Sequence, residues 1–144
     1  MSLVDTLNSA LKTAMQARDK AKRDALRLIL AVVKNKEIAK RASLNDAEII
    51  EVLKTEAKKR QEALEIYQQA GRPELAQKEA FELRIIKEFL PEQLSEDKVK
   101  EIVSQMKAAG QLPENFGEAM KQVMAKLKGQ ADGRLVAEAV KANL

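Results

Sequence analysis

The chain of 144 residues is 45% apolar and 33% charged, carries a net charge of +4, and has Tyr67, Phe81, Phe89 and Phe116 as its aromatic residues. With no His and no Cys, a Ser-His-Asp or Cys-His triad, an ordinary zinc site and a disulfide are all excluded. The longest stretches without a charge, such as Leu28–Val33, are six residues, far below the ~20 apolar residues of a membrane span; with Asp5 near the start and no basic-then-apolar leader, the expected location is the cytoplasm.

Helix follows helix along the chain. Ser2 is a candidate N-cap, and Leu3, Leu7, Leu11 and Met15 recur at steps of four. After a hydrophilic break at Arg18–Asp19, residues 20–40 predict a second helix with Leu26, Ile29, Leu30 and Val33 on one side. Leu28 and Val32 fall on the opposite side, which predicts cover from two directions. The third helix is capped within Ser43–Asn45 and runs to Gly71. Its seam is Ile49, Leu53, Ala57, Arg60, Leu64 and Tyr67, at coiled-coil-like steps of four and three. Gly71 suits a left-handed C′ position and Pro73 a first helical turn, so Gly71-Arg72-Pro73 predicts a tight helical hairpin into a fourth helix ending near Leu90.

Pro91 and the capping Ser95 mark the one clear boundary. Four short-linked helices precede it, the pattern of an antiparallel bundle, and three shorter helices follow. The expected organisation is therefore all-α: an N-terminal helical bundle over residues 1–91 and a three-helix tail over 95–144. The tail helices are expected at Glu96–Ala109, Asn115–Lys128 closed by Gly129, and Gly133–Asn143 capped by Asp132.

The carboxylates are scattered over helix surfaces at spacings that suit ion pairs with Lys and Arg, for example Lys58 with Glu62 and Lys78 with Glu82. No EF-hand loop, P-loop or dinucleotide fingerprint is present, and no spacing suggests an all-oxygen metal cluster. No cofactor, metal or catalytic residue is expected.

The basic residues are unevenly spread. Residues 12–41 hold ten Lys/Arg against Asp19, Asp24 and Glu37. At ~100° per residue, Lys20, Arg23, Arg27, Lys34 and Arg41 fall within an arc of about 60° if the helix is continuous. Such a stripe suits a phosphate backbone. It equally suits the solvent face of a bundle helix, since Leu30 and Ile38 lie near the same arc.

A second basic region lies in the tail. Phe116, Met120, Val123, Met124 and Leu127 predict a core-facing stripe. Lys121 and Lys128 sit beside it, about 20° apart, while Lys126 points the other way. The helix stops at Gly129 and the next begins at Gly133, which sets the backbone amides of a helix N-terminus near Lys126, Lys128 and Arg134. An anion would find hydrogen bonds and positive charge there. An ordinary glycine-capped helix hairpin fits the same residues, and Asp132 at the cap opposes a phosphate.

The junction Leu90-Pro91-Glu92-Gln93-Leu94-Ser95 combines with a tail pattern of Gly117, Met120, Val123-Met124, Lys126, Lys128-Gly129, Ala131-Asp132-Gly133. Together they resemble the GatB/YqeY family over essentially the whole chain. Two positions depart from the family pattern: Phe116 replaces a usual Met, and Ala125 a common Pro. The resemblance implies an all-helical fold of a bundle and a small three-helix tail. It further implies the role of the module appended to the B subunit of the tRNA-dependent amidotransferase and to some glutaminyl-tRNA synthetases, which is to hold tRNA near its elbow. A carbon–nitrogen ligase activity with glutamine as amide donor belongs to the larger enzymes, and this sequence has neither a glutaminase site nor an ATP site.

The expected function is a non-catalytic tRNA-binding module that reads RNA shape through phosphates. Its contacts are expected from Lys121, Lys126, Lys128, Gly129, Gly133 and Arg134, with Lys20, Arg23, Arg27, Lys34 and Arg41 as a secondary stripe. The partners are tRNA and an amidotransferase or aminoacyl-tRNA synthetase, with no membrane and no small-molecule substrate. The alternative is a protein–protein adaptor for such an enzyme, presenting the third and fourth helices as a hairpin.

Overall fold

Local capping rules decide where the helices start. In the computed structural model, which describes residues 2–144, Ser2, Asp19, Asn45, Ser95, Asn115 and Asp132 each accept a first-turn backbone N–H through the side chain. These are the residue types whose short side chains satisfy amides that have no partner within the helix. Asn45 adds a full capping box with Glu48. The helices are α1 (Leu3–Gln16), α2 (Lys20–Lys40), α3 (Asp46–Gln69), α4 (Pro73–Glu88), α5 (Glu96–Ala108), α6 (Phe116–Leu127) and α7 (Gly133–Asn143). The fold is all-α, as the sequence predicts, and among the described residues no helix is long and apolar enough to cross a membrane.

Two compact units result, Met1–Leu90 and Pro91–Leu144. In the first, α1 to α4 close over Leu7, Leu26, Ile29, Val33, Ile49, Leu53, Ile85 and Ile86. Leu7, Leu26 and Leu53 are fully buried, each stabilising the unit by ~1.5–3 kcal/mol through apolar burial. The α3–α4 hairpin turns at Gly71, whose φ of +67° belongs to the left-handed region that glycine enters without strain. In α3 the buried residues stop at Glu56.

The second unit is built on small side chains. Val99, Val103, Val123, Val136 and Val140 are fully buried, together with Ala119, Ala131 and Ala139. Short side chains of this kind let three short helices approach closely.

Three local expectations are corrected. Leu28 is 52% exposed and lies on an uncovered outer face of α2, whereas Val32 is partly buried against the core, as expected. Glu82 does not pair with Lys78, nor is an ion pair formed by Lys58 and Glu62; instead Arg60 Nε lies 3.1 Å from Glu82 Oε2 and Arg60 Nη2 3.5 Å from Glu56 Oε2. The half-buried guanidinium is held in lower dielectric than a solvent-exposed lysine, and it binds the acids nearest the helix interface. Phe116 is 39% exposed, not core-facing, because it opens α6 at the edge of the unit; its ring lies 5.6 Å from Lys141 Nζ.

Candidate nucleic-acid interface

The corner between α6 and α7 is short because both its ends are strongly specified. α6 ends on two successive left-handed residues, Lys128 (φ +46°) and Gly129 (φ +81°), and α7 starts at its cap Asp132, which accepts from the Arg134 amide at 3.0 Å. The helix closure expected at Gly129 thus begins one residue earlier. Lys128 N–H donates to the Met124 carbonyl at 3.1 Å, and Gln130 N–H to that of Leu127 at 3.0 Å. Because Lys128 is the C-cap and not a helical position, its ~20° alignment with Lys121 on an ideal wheel does not carry over.

The junction segment completes the corner, a feature the sequence did not reveal. Leu94 N–H donates to the Gln130 carbonyl at 2.7 Å, and Gln93 Nε2 to the Gly129 carbonyl at 3.0 Å. Two carbonyl oxygens of the loop are therefore already occupied from within the protein. Left free, they would have presented partial negative charge at the same place as the cations. A hydrophobic residue at 94 beside the boundary proline was the only available signal, since backbone pairing leaves no side-chain signature.

Lys121, Lys126, Lys128 and Arg134 are exposed, and among the described residues none of their side chains forms an ion pair. Lys126, Lys128, Gly129, Gly133 and Arg134 all fall within the nine residues that end α6 and start α7. Lys121 stands two turns back, about 9 Å from the end of α6 at 1.5 Å per residue. Space above the first turn of α7 is open: a Cβ added at Gly133 would meet nothing within 4 Å. The Gly133 and Leu135 amides lie in that first turn, where a helix has no backbone acceptor of its own to offer. Asp132 is the carboxylate within the connecting residues 128–133, and its Oδ1 is engaged by the Arg134 amide.

The stripe on α2 separates into two kinds of residue. Lys20, Arg27, Lys34 and Arg41 are exposed and without an ion pair among the described residues, whereas Arg23 is held by Asp24 at 2.9 Å. Arg41 is the C-cap, with a left-handed φ of +60°.

Elsewhere in the first unit, two groups of charges pair closely. Lys40 Nζ bonds both oxygens of Glu48, at 2.7 and 2.8 Å. The Lys40 hydrogen bonds and the Asn45 amide hold the Glu48 carboxyl below its ordinary pKa. Glu56, Glu79 and Glu82 converge on Arg60.

An all-helical chain with a bundle, a proline-marked junction and a small valine-rich tail defines a class of helical modules. The chain belongs to the Yqey-like protein family, which it matches over residues 4–144. Among curated proteins it is similar to an uncharacterised protein of Schizosaccharomyces pombe, 29% identical over 94 residues, covering 65% of this chain and 76% of that protein. It is also similar to Altered inheritance of mitochondria protein 41, mitochondrial. In Eremothecium gossypii the identity is 33% over 85 residues, or 58% of this chain and 46% of the relative. In Saccharomyces cerevisiae it is 33% over 88 residues, or 60% and 48%. The matches thus span about half the length of the two mitochondrial relatives.

Proposed function

We propose that this chain is a non-catalytic tRNA-binding module that grips the RNA backbone, near the elbow, with the α6–α7 corner. Chemistry on the tRNA would be done by a separate amidotransferase or aminoacyl-tRNA synthetase, in the cytoplasm. The observation that carries the reading is the combination at the corner: Lys126, Lys128 and Arg134, with Lys121 further back on α6, are exposed without ion pairs while Gln93 and Leu94 occupy the competing carbonyls. Unpaired cations cost little to bring to a phosphate, because no existing salt bridge has to break. Open space at Gly133 lets the backbone of the RNA come close. Tyr67, Phe81 and Phe89 are half-buried and Lys141 sits over the ring of the exposed Phe116, which leaves one accessible ring at most for base stacking and favours shape and phosphate recognition over base readout.

The test is a tRNA titration at several salt concentrations, comparing wild type with a Lys121/Lys126/Lys128/Arg134→Ala variant. Four lost phosphate contacts should flatten the log–log salt slope by ~3 and weaken binding at low salt by more than about tenfold. Equal slopes, with the helical circular dichroism unchanged, would reject the reading.

A second reading, a protein–protein adaptor, is favoured by the α3–α4 hairpin. There Ile66 is 62% and Leu75 40% exposed beyond the last buried residue of α3. Replacing both by Ser tests it through loss of binding to an amidotransferase or synthetase, in an assay containing no RNA.

A further inference from the structure

The outer face of α2 has a sequence order that its role in the bundle does not require. Leu28, Ala31, Asn35 and Ile38 follow one another at steps of three, four and three, all four exposed, Leu28 by 52% and Ile38 by 65%. That is the spacing of a coiled-coil seam. It is separate from the buried seam of Ala25, Leu26, Ile29 and Val33 on the other side. Arg27 and Lys34 lie seven residues apart along one edge of this outer seam, and Lys20 and Arg41 continue the count beyond its ends, where Asp24, paired with Arg23, interrupts the apolar order on the N-terminal side. With Leu28 and Asn35 at position a, these cations occupy position g, which flanks the seam and selects the partner by charge. At the start of the same helix, Ala14, Met15, Arg18, Asp19, Lys20 and Arg23 line a surface groove of about 180 Å³. Its apolar wall is Met15, 49% exposed, and its rim is largely basic.

We propose that this face is a docking surface for an acidic amphipathic helix of a partner protein, which lays an apolar seam on Leu28, Ala31 and Ile38 and sets carboxylates against Lys20, Arg27, Lys34 and Arg41. Charge selects this occupant over a second copy of the chain. Antiparallel pairing of two α2 helices sets g against g, cation on cation. Parallel pairing sets g against e, where Val32 and Ala39 offer no acid. The apolar seam selects it over RNA, because phosphates gain nothing from Leu28 and Ile38, whereas a partner helix removes both from water. Asn35, a polar residue within the seam, fixes the register of the pair. Spanning the 21 residues of α2, about 32 Å at 1.5 Å per residue, takes a partner helix of five to six turns.

Three labelled peptides of about 21 residues test the proposal against the full chain by fluorescence anisotropy. One has a Leu/Ile seam flanked by Glu, one the same seam flanked by Lys, and one the Glu flanks with Ser in the seam. The first should bind at least about tenfold tighter than either of the others. It should weaken by about tenfold in each of two variants, Leu28→Ser/Ile38→Ser and Arg27→Glu/Lys34→Glu. All four positions are exposed, and circular dichroism checks that both variants keep their helices. Absence of binding by the first peptide overturns the proposal. So does equal binding of the Ser-seam peptide, or indifference to Leu28→Ser/Ile38→Ser. If tRNA binding falls in Arg27→Glu/Lys34→Glu while no peptide binds, the face belongs to RNA and the proposal fails. The outcome at the α6–α7 corner is read separately, from the Lys121/Lys126/Lys128/Arg134→Ala variant.

Discussion

Gln93 Nε2 donates to the carbonyl oxygen of Gly129 at 3.0 Å, and also to that of Pro91 at the same distance. One side-chain amide thus joins the junction to the loop that carries the basic corner, across 36 residues of sequence. Gln93→Leu is expected to lower the stability of the second unit by ~1 kcal/mol, the usual net worth of such hydrogen bonds at a solvated site. Urea unfolding followed by circular dichroism reads this. The same change frees the Gly129 carbonyl toward incoming phosphate, so tRNA affinity should drop a few-fold; unchanged affinity would separate the corner's geometry from binding.

Lys128 places a side chain of the proposed tRNA site on a left-handed backbone. Its φ of +46° costs an L-residue roughly 1 kcal/mol that glycine avoids, and a β-branched residue suffers more. Lys128→Val should therefore be at least ~1 kcal/mol less stable than Lys128→Gly. Both variants lose one phosphate contact and should reduce the salt slope of tRNA binding equally, by just under about one. Equal melting temperatures would show that the left-handed turn is not retained in solution.

Arg60 is the common partner of Glu56, Glu79 and Glu82, with its Nε 3.1 Å from Glu82 Oε2. The Glu56 side chain is 8% exposed and that of Glu82 14%, against 24% for Arg60. Arg60→Met leaves these carboxylates close together with Lys59 as the remaining cation, 3.5 Å from Glu56. An expected loss of ~2–3 kcal/mol allows for partial exposure, which lowers the cost below that of a fully buried pair. Combining Arg60→Met with Glu56→Leu and Glu82→Leu should recover most of it. Failure of the triple variant to recover would mean that Arg60 contributes packing and not charge balance.

The Lys40–Glu48 pair sets an acid limb of stability. The Lys40 and Asn45 hydrogen bonds lower the Glu48 pKa in the folded chain, so on acidification the unfolded state takes up this proton first. The contribution is complete above the ordinary glutamate pKa and is lost as pH falls through the lowered folded value. Urea midpoints taken from about pH 6 to pH 3 should fall less steeply in Glu48→Gln than in wild type. Lys40→Met, which removes the first cause of the shift, should also flatten this part of the curve. Parallel curves would show that the pair is open in solution.

Much of the architecture was legible because it is written in local chemistry. Ser2, Asn45, Ser95 and Asp132 announced helix starts through side chains that reach their own first-turn amides, and Gly71 and Pro91 announced ends. The all-α fold and the Gly71 hairpin followed from such signals, and the family from the junction and tail motifs. Contacts between residues distant in sequence were not legible, because spacing along one helix says nothing about what a neighbouring helix presents. Glu82 therefore met Arg60 across the α3–α4 interface in place of Lys78 on its own helix. Leu28 remained on an open face that periodicity alone had assigned to a second covering layer. Tertiary structure likewise decided that Gln93 and Leu94 occupy the Gly129 and Gln130 carbonyls: a backbone acceptor has no residue type, so only the folded path of the chain determines which donor reaches it.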